Sequence, residues 1–133
     1  MKTVEVKTAD LIGPALDWAV GELEGEWAEE PYHLRGSEPR IWCNNHSYGY
    51  SPSTDWEQGG PLLRTYQIEF SINEDTGEVG ASLLYWRTYG KSHRTRWSKG
   101  DTHLIAACRA IVAAKLGDVV SVPAELAHPT ATI

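Results

Sequence analysis

Tyr66, Ile68, Phe70 and Ile72 alternate with Gln67, Glu69 and Ser71, a period-2 pattern that suits a half-buried strand. Asn73, Glu74, Asp75, Thr76 and Gly77 follow at once with turn chemistry, and residues 79–89 are apolar enough to return antiparallel. The middle of the chain is thereby committed to a hairpin with one apolar face, and that face needs cover.

Two helical patterns supply it. Leu104, Ile105, Cys108, Ile111, Val112 and Leu116 form one stripe, with Asp101 placed as N-cap and Gly117 as the stop. Leu16, Ala19, Val20 and Leu23 repeat at the same spacing, entered through Gly13-Pro14 after the capping groups Thr8 and Asp10, and closed by Gly25. Val4 and Val6 mark a short edge strand and residues 119–122 a last one. Residues 40–43 and 94–98 are weaker strands, and residues 123–126 offer one helical turn. The expected fold is α+β: a small, mostly antiparallel sheet packed with two main helices and a long ordered irregular segment. It forms a single domain over residues 1–133, a length that buries one core without disulfide or metal staples.

The irregular segment is residues 26–61, rich in Pro, Gly, Ser and Asn. Its aromatics Trp27, Tyr32, Trp42, Tyr48, Tyr50 and Trp56 argue against disorder, and a connection of that length tends to be functional. Residues 50–61 stand out: Ser51, Ser53, Thr54, Asp55 and Gln58 crowd between Tyr50 and the Gly59-Gly60-Pro61 step, without helix or strand periodicity. These side chains either satisfy their own turn or cradle a small polar ligand. In the cradle, Asp55 and the hydroxyls bond ribose-like or amide groups, Trp56 stacks on a flat ring, and Gly59 and Gly60 admit close backbone approach. Asp17 and Trp18, at the edge of the first helical stripe, flank this loop as an acceptor and a wall, or Trp18 is partly core.

The pieces Leu16-Asp17-Trp18-Ala19-Val20, Tyr50-Ser51-Pro52-Ser53-Thr54-Asp55-Trp56 with Gln58-Gly59-Gly60-Pro61, and Leu104-Ile105-Ala106-Ala107 with Lys115-Leu116-Gly117-Asp118 resemble, in this order, the NinX-like phage and prophage proteins. The resemblance spans nearly the whole chain. It implies an accessory role in a bacterial cytoplasm and no assigned chemistry, so no catalytic residue carries over. Residues 84–103 match none of the pieces that carry it.

That unmatched stretch interleaves Tyr85, Trp86, Tyr89 and Trp97 with Arg87, Lys91, Arg94, Arg96 and Lys99. It is either a solvated cationic face over an aromatic core or a phosphate- or nucleotide-binding surface using Arg87, Arg94 or Arg96. Duplex DNA is disfavoured: the net charge is −6, and 11 of the 18 acidic residues precede residue 61. No apolar run approaches the roughly 18 residues needed to span a bilayer, and the first ten residues hold no continuous apolar run. With only Cys43 and Cys108, a reducing, cytoplasmic setting is expected.

Cys43 and His46, with His33 upstream, make two or three metal donors at most, so no metal and no cofactor are expected. The chain lacks a G-x-S-x-G elbow, a phosphate loop, an H-E-x-x-H motif and a dinucleotide fingerprint, and no catalytic residue is assigned. The expectation is a non-enzymatic phage accessory protein that binds a small polar, nucleotide-like ligand, one use being to sequester a host signal. Two alternatives stay open: a docking module for a host or phage protein, and a small hydrolase or lyase using Asp17 or Asp55 as general base. Oligomeric state is left open.

Overall fold

The computed structural model describes residues 2–26, 32–34, 41–42, 49–86 and 92–127, with backbone alone at 84–86 and 92–94. The fold is α+β, as the periodicities require, but its strands form three small antiparallel sheets rather than one.

The hairpin is as expected. β5 (Ile68–Ile72) pairs with β6 (Val79–Trp86) from Ile68 opposite Leu83 to Ile72 opposite Val79. The Asn73 carboxamide oxygen accepts from Asp75 N and Thr76 N, and Gly77 closes the turn at a φ of 77°, where a side chain would be strained. Val79, Ala81 and Leu83 are buried on one face of β6, against α3 (His103–Leu116).

On its far side β6 meets two short strands, β7 (Ser92–Arg94) and β8 (Ser98–Gly100), where a single strand over 94–98 was expected. Leu84 faces Arg94 and Ala81 faces Ser98, so residues 95–97 oppose only residues 82 and 83 and the strand bulges by one residue. Thr95 holds the bulge: its N donates to Leu83 O at 3.0 Å and its hydroxyl accepts from Leu83 N at 2.9 Å.

α1 (Gly13–Glu24) and α3 carry the core. Leu16, Ala19 and Val20 meet Cys108, Ile111 and Val112 in one cluster that takes in the hairpin face. Residues 104–108 of α3 are all buried, so this helix is apolar nearly all round at its start and half-solvated at its end, where Leu116 is exposed instead of completing the stripe. Two capping expectations shift. Asp10 ends a 3₁₀ turn (Thr8–Asp10) and Ile12 is the N-cap of α1, without a side-chain cap. Thr102 rather than Asp101 caps α3, its hydroxyl accepting from Ile105 N at 3.2 Å. Gly25 and Gly117 end the two helices as expected.

β1 (Thr3–Lys7) pairs antiparallel with β9 (Val119–Pro123), which leads into α4 (Ala124–Ala127). Thr8 extends this joint: its N donates to Asp118 O at 2.8 Å and its hydroxyl to Gly117 O at 2.6 Å. The start of the chain is thus tied beside the end of α3.

The segment read as irregular contains β2 (His33–Leu34), β3 (Ile41–Trp42) and β4 (Gly49–Tyr50), paired in that order, then α2 (Trp56–Thr65). α2 corrects the expectation that residues 50–61 lack helix: Trp56 through Pro61 are its first six residues. Gly59, Gly60 and Pro61 are the poorest helix formers, and the helix stands on tertiary contacts that local propensity does not express.

Candidate functional site

Several polar groups of residues 50–58 bond one another, Gly49 or α1, while the buried Ser53 hydroxyl has no hydrogen-bond partner among the described residues. Asp55 is the N-cap of α2, accepting from Glu57 N at 2.9 Å. The Gln58 carboxamide clamps the turn, accepting from Ser51 N at 2.6 Å and donating to Gly49 O at 2.8 Å. Ser51 O accepts from both Thr54 N and Asp55 N. Asp17, 2% exposed, reaches across from α1 and accepts from Ser53 N at 2.8 Å. Its buried charge is therefore held by at least one strong donor.

Gly59 serves packing. A Cβ there would lie 2.2 Å from Pro52 O and 2.9 Å from Leu104 Cδ2, so the turn and α3 press directly on the helix backbone. Gly60 has room, with Trp56 Cε3 at 3.9 Å as its nearest neighbour. Tyr50, Ser51 and Ser53 are buried, Thr54 is exposed, and Trp56 is 58% exposed. Trp18 is half-buried in a separate groove with Leu23, Leu116 and Val119. The structure brings Asp17 to the turn but sets Trp18 apart from it. Arg87, Cys43 and His46 lie outside the described residues. Among those described, no group of three His, Cys, Asp or Glu could hold a metal ion.

A second concavity lies elsewhere. A cleft of about 760 Å³ opens where the end of β1, the bulge before β8, α3 and the start of β9 converge. Thr95, Arg96 and Trp97 all line it, which three consecutive residues of a regular strand could not do. The bulge thus turns Arg96 and Trp97 of the cationic, aromatic stretch toward one cavity. Trp97 is 45% exposed, and its ring rests on Gly80, where a Cβ would come within 3.3 Å of Cε3.

Lys7, Arg96, Lys99 and Arg109 line the cleft, against the acids Glu78 and Asp118. Arg96 bonds Asp118 at 2.8 Å in a well-exposed pair, leaving Lys7, Lys99 and Arg109 on the lining with Glu78, while Asp10 and Asp101 act on Arg109 from outside it. Arg109 is half-buried and held in place: Nε donates to Leu11 O at 2.8 Å and Nη1 to Lys99 O at 2.7 Å. Burial draws its pKa down, and the charges of Asp101, Asp10 and Glu78 draw it back up.

A model of the phage family described as Bacteriophage P22, NinX matches residues 7–115. The chain belongs to this phage NinX family. The match runs through both the 50–61 turn and the cationic stretch at 84–103, which had no inherited support in sequence. No curated protein matches the chain. Family membership makes this a phage accessory protein; both surfaces just described fall within the matched region, apart from Asp118 and Val119 at the cleft rim.

Arg96, Trp97 and Lys99 were legible as part of an aromatic and cationic pattern, but Lys7, Thr8 and Arg109 were not. Lys7 and Thr8 enter through the β1 to β9 pairing, and Arg109 sits on the polar side of an apolar helix, where a lone arginine has no local signal. No helix among the described residues is long and apolar enough to cross a membrane.

Proposed function

We propose that this NinX-family protein acts by binding, without transforming, a small polar ligand that carries a flat ring, and that the ligand lies in the cleft beside Trp97. Sequestering a host signalling metabolite in the bacterial cytoplasm is one use of such binding. The observation that carries the reading is Trp97 itself: an indole seated on Gly80, 45% exposed, forming a wall of a cleft of about 760 Å³. That volume is in the range of small-molecule sites, and an exposed indole in a concavity offers a stacking face. Asp55 and Gln58 in the turn, with Asp17 and Gly59 against it, support the shift of site, because they already have structural partners.

Thermal shift and calorimetry with a panel of nucleosides, nucleotides and ring-bearing metabolites test this. At least one should raise the melting temperature of the wild type, and the rise should vanish in Trp97→Ala while persisting in Asp55→Ala and Trp56→Ala. Loss in Trp56→Ala with retention in Trp97→Ala would return the site to residues 50–61. No stabilisation by any member sinks the ligand reading.

A second reading, docking to a host or phage protein, is favoured by one observation: Trp56 is 58% exposed on the first turn of α2. Large aromatics exposed in this way anchor protein interfaces. Affinity capture from infected cells should then recover a stoichiometric partner that Trp56→Ala loses.

A further inference from the structure

Arg109 combines three properties that suit it to a ligand. It is half-buried, so part of its hydration is lost. Its plane is fixed by two backbone carbonyls, Leu11 O and Lys99 O, which accept hydrogen bonds without neutralising charge. Among the described residues it makes no salt bridge, and Nη2 donates to none of them, although the residue lines the cleft. Glu78 shares the cleft wall, and Asp10 and Asp101 are near enough to act on the guanidinium through space, so its charge is moderated but not paired.

A guanidinium oriented in advance, with one terminal nitrogen unused among the described residues, is suited to an oxyanion, because the cost of ordering the side chain is already met by the fold. The number of charges narrows the anion. Lys7 and Lys99 line the same cleft and make no ion pair among the described residues, so a dianion with three acceptor oxygens uses the site better than a single carboxylate. The Thr95 hydroxyl accepts from Leu83 N and, among the described residues, donates to none, so its proton is available to a further oxygen.

Resting on the ligand reading of this cleft, we infer that Arg109 is its anion receptor and that the ligand is a phosphate monoester bearing a flat ring. The phosphate is held by Arg109 with Lys7 and Lys99, and the ring stacks on Trp97. A nucleoside monophosphate is the simplest member of the class.

Matched pairs of nucleoside and nucleoside 5′-monophosphate, together with inorganic phosphate, test this on the full chain by calorimetry and by arginine side-chain ¹H–¹⁵N spectra. The monophosphate should bind about ten- to a hundredfold tighter than its nucleoside, the worth of charge-assisted hydrogen bonds to one group. Inorganic phosphate should shift the Arg109 signals more than those of Arg96, whose partner is Asp118. Arg109→Lys, which retains the charge but not the fork, should erase most of the preference for the phosphate. Because that variant also releases Leu11 O and Lys99 O, the wild-type spectra stand as the independent readout. Equal affinity for nucleoside and monophosphate, with Arg109 signals unmoved, overturns the anion receptor and leaves the Trp97 site standing. Phosphate shifting Arg109 while no ring-bearing compound binds overturns the ring-bearing ligand and keeps the receptor. No binding and no shift overturns both.

Discussion

Replacing Gly59 and Gly60 by alanine, one at a time, sets packing against ligand clearance as the reason for the glycine pair. Both lie inside α2, so alanine gains about 0.5–1 kcal/mol of backbone propensity at each. At Gly60 the new methyl meets only Trp56 Cε3 at 3.9 Å, an ordinary contact. At Gly59 it lands 2.2 Å from Pro52 O, a backbone atom that must retreat by about 1 Å to reach a normal carbon to oxygen separation of about 3.3 Å. Pro52 lies between Ser51 and Ser53, so that retreat strains the bonds from Ser51 N to Gln58 and from Ser53 N to Asp17. Overpacking costs about 1–3 kcal/mol and a loosened hydrogen bond about 1 more. Net of the propensity gain, Gly59→Ala should lose about 1–3 kcal/mol and roughly 4–10 °C in Tm, while Gly60→Ala should gain roughly 2–4 °C. Urea unfolding followed by tryptophan fluorescence and far-UV circular dichroism reads both, with unchanged m-values showing that only stability moved. A Gly59→Ala protein as stable as the wild type would refute the close approach of the turn to α2, and Gly59 would again be free to serve a ligand.

Asp55→Ala removes the N-cap of α2 and should cost about 1 kcal/mol, seen as a lower urea midpoint; an unchanged midpoint would show that the bond to Glu57 N contributes nothing. Alkaline titration should destabilise the protein: burial and the bond to Glu24 push the Tyr66 phenol up to about 12, and burial likewise raises Tyr32 and Tyr50. Because unfolded tyrosine ionises near pH 10, the native state keeps these protons longer, and the stability they contribute, full below pH 10, declines as pH rises through 12. A urea midpoint that stays constant from pH 9.5 to 12 would contradict this. Burial, with the Asp17 charge beside it, also raises the Cys108 thiol, so in a Cys43→Ser background Cys108 should resist a thiol reagent until the chain unfolds; labelling at native concentrations of urea would place it nearer the surface.

The hairpin, α1 and α3 were readable in the sequence because each rests on short-range rules: period-2 alternation from 66 to 72, turn chemistry at 73–77, two helical stripes, and glycines at 25 and 117 that accept positive φ. α2 was not readable. Its Gly59-Gly60-Pro61 opposes a helix locally, and contacts from outside the helix hold it: the fit of Gly59 beneath Pro52 O and the burial of Leu62 in the core, with the Asp55 cap at its start. The 50–61 composition was correctly singled out, yet whether its hydroxyls, carboxylate and amide face outward or one another depends on Asp17 arriving from a different helix. The cleft is more strongly tertiary still. Lys7, Trp97, Arg109 and Asp118 share no spacing that a sequence pattern could relate; they meet because β1 pairs with β9, a one-residue bulge turns the chain before β8, and α3 runs between. By itself the sequence determined the family pattern, the elements with local periodicity and the α+β class. The tertiary structure decided which polar groups are already satisfied, as Nε and Nη1 of Arg109 are by Leu11 O and Lys99 O, and which residues share a cavity, because hydrogen-bond satisfaction and burial are properties of neighbours in space and not of neighbours along the chain.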